Sequence, residues 1–317
     1  MTPAQWEPRI LASSAALLAG VSLFIGTQLI STSKRTQIIR PVDERVLVVG
    51  ASSGVGRATA ITYAKRGARV AIIARREALL QELKQECSQV SGISEDAGDR
   101  ILSVTADFGN EDDMAKARDI IQQAWGGLDT LIVAAGVSAL QPLMNIVKQG
   151  GVGHTKTVAL KALEGNYIGP LVSAVTFIPL LETTSKRPAI ALISSLAAVV
   201  PAPTRALYCS TKSASLLLFQ SLAIENPRIK FTNIIPSTIE GDFRASAVDS
   251  GDVREVLKGA LKKQAVAEAI MRGVDTETRN VWMPNTMRMG LFLYWLWPGL
   301  IEKIAMRKYN FGVRANS

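Results

Sequence analysis

Positions 10–30 read ILASSAALLAGVSLFIGTQLI, and no charge falls between Arg9 and Lys34. As an α-helix rising about 1.5 Å per residue, that run crosses the hydrocarbon layer of a bilayer once. Ser13, Ser14, Ser22, Thr27 and Gln28 keep it only moderately apolar. A cleaved signal peptide would have a shorter apolar core and a better small-residue cleavage site than Ser31 and Ser33 offer. A core helix would stand ahead of the first strand with nothing obvious to pack on. The pattern therefore predicts a transmembrane signal anchor, with residues 1–40 as anchor and linker. Arg9 is alone before the span, whereas Lys34, Arg35, Arg40 and Arg45 follow it. That imbalance places the main domain in the cytosol, with the endoplasmic reticulum as the expected membrane.

Beyond the linker the pattern changes to short continuous apolar runs at 46–49, 70–74, 101–105, 130–133, 190–193 and 231–235. Helical periodicities fall between them, at about 54–66, 77–87, 111–125, 156–184 and 205–225. Strands apolar on both faces, alternating with amphipathic helices, mean a parallel sheet covered on both sides. The expected fold is α/β, a doubly wound Rossmann-like sheet preceded by one N-terminal transmembrane helix. Residues 91–100 are polar and 141–154 contain Gly150, Gly151 and Gly153, so both read as loops. The folded domain is expected over 41–250. A helical, membrane-contacting extension of it is expected over 251–317, with a helix at 265–272 and a hydrophobic stretch from 287 to 304.

Composition narrows the chemistry. Of 317 residues 48% are hydrophobic and 20% charged, which excludes a disordered chain. One histidine, His154, and two cysteines, Cys87 and Cys209, are too few for a Cys/His zinc site and form no CxxC pair, so no metal is expected. Two distant cysteines make no disulfide framework, and a reducing compartment follows. No Asn-x-Ser/Thr sequon occurs, in keeping with a cytosolic domain. The net charge of +9 invites a nucleic-acid reading, but eleven Lys/Arg against six Asp/Glu lie from residue 251 onward, among Leu291, Phe292, Leu293, Trp295 and Trp297. Cations beside tryptophan and leucine mark a membrane interface, so membrane lipid is the expected partner and nucleic acid is not.

Two short motifs carry chemistry. The first apolar run leads into Gly50-Ala-Ser52-Ser53-Gly54-Val55-Gly56. There a tight turn lets the backbone approach a pyrophosphate, and the following helix points its N-terminal amides at the anion. After the second run stand Ala74, Arg75 and Arg76 with no acidic residue. An acid there would take the ribose hydroxyl of NAD, whereas arginine suits the 2′-phosphate of NADP, so the expected cofactor is NADP(H). Downstream, Tyr208 and Lys212 are four apart at the start of a helix and share a face. An ammonium one turn away favours the phenolate, so the lysine is expected to lower the pKa of Tyr208. Ser194 and Ser195, at a strand end, add a hydroxyl able to donate to a carbonyl oxygen.

In this order the motifs resemble the short-chain dehydrogenase/reductase family over residues 44–245. The resemblance adds Asp107 after the third run, Ala135-Gly136 after the fourth, Asn166, and Pro236 after the sixth. It implies that Tyr208 exchanges a proton with the substrate oxygen and that Ser195 orients and polarises it. Lys212 would bind the nicotinamide ribose, Asn166 would hold a water leading from Lys212 to solvent, and Asp107 would lie at the adenine. Val49, Ala134 and Ser237 depart from the family pattern at backbone-level positions. The anchor, Ala74-Arg75, and Ile-Ser-Ser-Leu-Ala at 193–197 resemble the membrane-bound 11-beta-hydroxysteroid dehydrogenase branch. In that branch the tail packs at a dimer interface or dips into the bilayer. The expectation is a carbonyl–alcohol oxidoreductase for an apolar lipid, sterol or acyl substrate, assembled as a dimer or tetramer. The alternative, a non-catalytic NADP-binding scaffold, would have no need of Tyr208 and Lys212 at that spacing.

Overall fold

The computed structural model describes residues 34–92, 100–245, 247–251 and 259–312. The expected anchor at 10–30 lies outside the described residues. The first elements are α1 (Lys34–Ile38), β1 (Arg45–Val49), α2 (Gly54–Lys65), β2 (Arg69–Ala74), α3 (Glu77–Ser91), β3 (Ile101–Thr105), α4 (Glu111–Trp125) and β4 (Thr130–Val133). Then come α5 (Leu143–Leu163), a π-helical turn (Glu164–Ile168), α6 (Gly169–Thr184), β5 (Ala189–Ile193), α7 (Ala206–Glu225) and β6 (Lys230–Pro236). The chain closes with α8 (Lys263–Asp275), β7 (Asn280–Met283), α9 (Arg288–Leu296) and α10 (Pro298–Lys308).

All seven strands are parallel, in the order β3-β2-β1-β4-β5-β6-β7. The direction of winding reverses between β1 and β4, and in such sheets the crevice at the strands' carboxyl ends is where ligands sit. Side chains alternate across the sheet into two cores. Leu47, Leu131 and Leu192 face Phe177 and Phe219 on one side; Val48, Ile72 and Ile132 face Tyr63, Leu80 and Ile270 on the other. This is the continuous apolar strand pattern expected of a sheet buried on both faces.

Three readings from the sequence change. Residues 141–154 are not a loop: Leu143, Met144, Ile146 and Val147 keep a helical spacing, and α5 runs through them. Only Gly150 and Gly151 leave helical geometry, the latter at φ +70°, and the helix bends there and resumes. The helix after β2 continues past residue 87 to Ser91, where Gly92 ends it in the left-handed conformation. Strand β7 was not expected. It is an edge strand of four half-buried residues, too short and too polar at its ends to stand out as an apolar run. Residues 143–184 have the length and apolarity of a membrane span, yet Ala174, Phe177 and Leu181 pack into the core.

The linker behind the expected anchor is fastened to the amino ends of the strands. Arg35, 1% exposed, donates from Nη1 to Glu44 Oε1 at 2.5 Å, from Nη2 to Thr130 Oγ1 at 2.6 Å and from Nε to the Arg187 carbonyl at 3.1 Å. Arg66 pairs with the other Glu44 oxygen and with Asp275. Arg45 forks onto Asp129 at 2.8 and 2.9 Å. Two of the four cations after the span, Arg35 and Arg45, are therefore consumed inside the fold. The tail behaves differently: no residue of α9 or α10 is buried, and Phe292, Trp295, Trp297 and Leu300 are exposed. The stretch from 287 to 304 is not a piece of the core.

Candidate functional site

The glycine loop joins β1 to α2 at the carboxyl edge of the sheet. Gly50, at φ +85°, has no room for a side chain, since a Cβ there would lie 2.5 Å from the Ala135 amide nitrogen. A Cβ on Gly56 would lie 2.2 Å from the Gly50 carbonyl oxygen, so this glycine lets α2 start directly against the turn. Gly54, at φ +59°, meets nothing within 4 Å. The loop is thus a close-packed backbone turn with one open side, at the first turn of α2 formed by Gly54, Val55 and Gly56. An anion seated there would face unpaired helix amides, so the residues fit the pyrophosphate expected of them.

Arg76 lies over this loop, donating from Nη2 to Ser52 Oγ at 2.8 Å and to Ser53 Oγ at 2.8 Å. Arg75 turns the other way, with Nη1 3.7 Å from Asp107 Oδ2, and both side chains are largely exposed. Asp107 also accepts the Gly109 amide at 3.0 Å. The two arginines and Asp107 therefore border the loop on the β2–β3 side, while Ala135 and Gly136 follow β4 on the other. Pro236 ends β6 on the same edge of the sheet, buried in register with Met283.

Asn166 sits in the π-helical turn, fully buried. Its Oδ1 accepts the Val137 amide at 2.9 Å, and its Nδ2 donates to the Val137 carbonyl at 3.0 Å and to Thr211 Oγ1 at 3.1 Å. A Cβ on Gly136 would approach Asn166 Oδ1 to 2.9 Å and Lys212 Nζ to 3.1 Å, so this glycine is where the three meet. The wide turn is one of the insertions that concentrate at functional sites.

Ser195 lies beside the Tyr208 hydroxyl, and its Oγ accepts the Ala197 amide at 3.1 Å. Lys212, 4% exposed, donates from Nζ to the Ile193 carbonyl at 3.1 Å, and burial lowers its pKa to about 8. The expected effect of Lys212 on the phenol is not what this geometry gives. Burial raises the pKa of Tyr208, and the influences that pull it back are the Ser195 hydrogen bond, then Arg205, then Arg244. Spacing put the lysine on the same helix face, but its ammonium is directed at a strand-end carbonyl.

Three side chains outside the two motifs surround this centre. Phe243 meets the Tyr208 ring edge-on at 6.1 Å, and Arg205 lies 5.6 Å from the centre of the same ring. Tyr309, from beyond α10, also has its ring centre 5.6 Å from the Arg205 guanidinium. Only Arg205 left a local signal, three positions before Tyr208 on the same turn.

A family model described as short chain dehydrogenase matches residues 44–251. The chain belongs to the short chain dehydrogenase family. Its relatives include 11-beta-hydroxysteroid dehydrogenase 1A of Arabidopsis thaliana, 30% identical over 269 residues, covering 81% of this chain and 73% of that protein. Dehydrogenase/reductase SDR family member 7B of Mus musculus is 28% identical over 270 residues, covering 82% and 79%. Two bacterial short chain dehydrogenase structures share the fold. One is from Burkholderia phymatum in complex with NAD (TM-score 0.69, 17% identity, 83% of this chain and 97% of that one). The other is from Burkholderia cenocepacia in complex with NADP (0.65, 21%, 84% and 98%). The chain is thus an oxidoreductase of the short chain dehydrogenase family, and of the branch that its relatives define.

Proposed function

We propose that this short chain dehydrogenase interconverts a carbonyl and an alcohol on an apolar substrate with NADP(H). The observation that carries it is the convergence of Asn166, Lys212, Tyr208 and Ser195 at the sheet edge that holds the glycine loop. Gly50, Ser52, Ser53, Gly54, Val55 and Gly56 would hold the pyrophosphate, with Asp107 and Ala135-Gly136 beside the adenine and nicotinamide ends and Pro236 closing the far side. Arg75 and Arg76 would take the 2′-phosphate; Arg76 already gathers two serine hydroxyls at the loop, and no carboxylate stands at the end of β2. Bound there, the nicotinamide supplies or accepts a hydride.

The chain's own residues handle the proton. In the reducing direction the Tyr208 hydroxyl gives its proton to the substrate oxygen as negative charge develops there. Ser195 Oγ–H donates to the same oxygen and holds it in reach of Tyr208. The raised pKa of Tyr208 keeps the phenol protonated near neutral pH, which suits it as the acid of a reduction. Lys212, held at the Ile193 carbonyl beside Gly136, would bind the nicotinamide ribose, and Asn166 fixes the backbone beside it.

An apolar substrate fits the surroundings: Phe243 flanks Tyr208, and the exposed tryptophans of α9 and its following turn are residues that prefer the headgroup layer. Seated on the bilayer beside the expected anchor, the cleft would draw lipid-dissolved compounds without passage through water. Exposed Leu160, Val175, Leu217 and Ile224 on α5, α6 and α7 offer apolar surface for a second copy.

The test is fluorescence titration of the purified protein with NADPH and NADH, followed by a ketone screen with Tyr208→Phe as control. The expected result is tight NADPH binding, weaker NADH binding, and a loss of about 10²-fold or more in turnover for Tyr208→Phe with NADPH affinity retained. Equal binding of both nucleotides would overturn the NADP assignment. Unchanged turnover in Tyr208→Phe would overturn the proton route.

A further inference from the structure

Arg205 stands at a junction that the tyrosine–lysine motif does not include. It immediately precedes α7, is 5% exposed, and donates from Nη1 to Ser138 Oγ at 3.0 Å. Its guanidinium carbon lies 5.6 Å from the ring centre of Tyr208 and 5.6 Å from that of Tyr309. Tyr309 follows α10, and the preceding residue, Lys308, donates from Nζ to Thr238 Oγ1 at 2.9 Å, just past β6. Ser138 is equally connected: its carbonyl accepts the Val248 amide at 2.9 Å. The next residue, buried Asp249, accepts the amides of Leu140 and Gln141 at 2.6 and 2.7 Å through Oδ2. One buried cation therefore touches the tyrosine of the motif, the C-terminal tail, and the loop to which the segment after β6 is pinned.

The chemistry suits arginine in particular. A flat, weakly hydrated guanidinium is attracted to aromatic faces and can serve two rings at once, whereas a lysine ammonium is a strongly hydrated point charge. Loss of water around Arg205 is offset by Ser138 and the two rings together, so removal of either ring loosens the other contact.

We propose that Arg205 is a positioning residue that locks the C-terminal tail across the cleft through a tyrosine–guanidinium–tyrosine stack, setting the seat of α10 and the orientation of Tyr208 together. This rests on the reading of Tyr208 as the proton donor. A tail that carries exposed tryptophans is then mechanically joined to the centre of the reaction.

The experiment uses the full chain in detergent with NADPH and 4-nitrobenzaldehyde as the carbonyl probe. The variants are Arg205→Met, Arg205→Lys, Tyr309→Leu, Tyr309→Phe and the Arg205→Met/Tyr309→Leu pair. Two readouts are taken: the pH–rate profile, and the rate of tryptic cleavage after Arg307 and Lys308. The charged or titratable groups that act on Tyr208 are Arg205 just ahead of α7, Cys209 on α7 and Arg244 after β6, with Ser195 beside its hydroxyl, so only Arg205 is altered among them. Arg205→Met should lower kcat about tenfold, leave the KM for NADPH within about twofold, and move the Tyr208 limb upward by about one pH unit. Tail cleavage should accelerate in Arg205→Met and in Tyr309→Leu, and the double variant should be no worse than the worse single. Tyr309→Phe should behave as wild type, and Arg205→Lys should restore the pH limb.

Additive losses in the double variant, or tail cleavage unchanged in both single variants, would overturn the proposal. If Arg205→Met fails to fold, Tyr309→Leu carries the test through cleavage and kcat, and wild-type values in both would overturn it. Tyr208→Phe separates the two readings. Full turnover in that variant sinks the proton-donor assignment, while tail cleavage still reports on the stack.

Discussion

Replacing Asn166 with alanine removes three hydrogen bonds at a fully buried position: two to the Val137 backbone and one to Thr211 Oγ1. Thr211 keeps its bond to the Leu207 carbonyl at 2.7 Å, but the Val137 N–H and C=O lose their partner. Each of these two partly buried backbone groups left unpaired costs about 1–3 kcal/mol, so the variant should lose about 2–6 kcal/mol. A domain of ordinary stability, about 5–15 kcal/mol, still folds. Val137 lies between Gly136, packed against Lys212, and Ser138, bonded to Arg205. Slack in this segment therefore reaches both sides of the proposed reaction centre. A displacement of about 1 Å there is worth roughly 10²-fold in rate. Urea unfolding and steady-state kinetics should show both losses, with NADPH affinity changed far less than kcat. Asn166→Asp, which keeps the acceptor for Val137 N–H but loses both donors, should be no better. An unfolding free energy within about 0.5 kcal/mol of wild type would refute the accounting for these hydrogen bonds. Lost stability with unchanged kcat would refute the positioning role.

Two other perturbations probe the distant parts of the frame. Glu44→Gln leaves Arg35 and Arg66 without their buried carboxylate and should cost about 3 kcal/mol, the low end of such losses because both arginines keep other acceptors. Burial works against the ionised form of Glu44, but Arg35, Arg66 and Thr130 together hold its pKa below the ordinary carboxylate value. Its stabilisation is therefore complete above about pH 4.3 and fades by about 1.4 kcal/mol per unit as the pH falls toward the folded-state value. Urea curves of wild type and variant at pH 7, 5, 4 and 3 should converge in acid, and a constant gap would contradict the pairing. Gly56→Ala drives a methyl group to within 2.2 Å of the Gly50 carbonyl oxygen, so the turn must open. NADPH titration should show affinity weakened by about tenfold or more, equivalent to about 1.4 kcal/mol. An unchanged dissociation constant would remove the glycine loop from the cofactor site.

Much of this protein is legible in one dimension because its signals are local. Continuous runs such as Val46–Val49 and Val70–Ala74 can only be strands buried on both faces, and their alternation with helices specifies a doubly wound parallel sheet. Tyr208 and Lys212 meet a helix-spacing rule, and Gly50, Gly54 and Gly56 mark a turn that side chains cannot enter. What the sequence concealed depends on approach between distant segments or on competition between burial and charge. The glycines at 150–151 looked like a loop, but the apolar faces on either side find the core and carry the helix through. β7 becomes a strand only because β6 supplies a partner edge. Arg35 and Arg45 looked like free cations beside a membrane span, yet tertiary contacts with Glu44 and Asp129 bury them. The acid strength of Tyr208 could not be inferred from Lys212 four residues on, because desolvation outweighs the nearby charges and the cation beside the ring is Arg205. Tyr309, about a hundred positions away in the chain, reaches that same arginine only through the fold. Spacing along a helix specifies which groups share a face; where those groups point, and what else arrives there, is decided by packing.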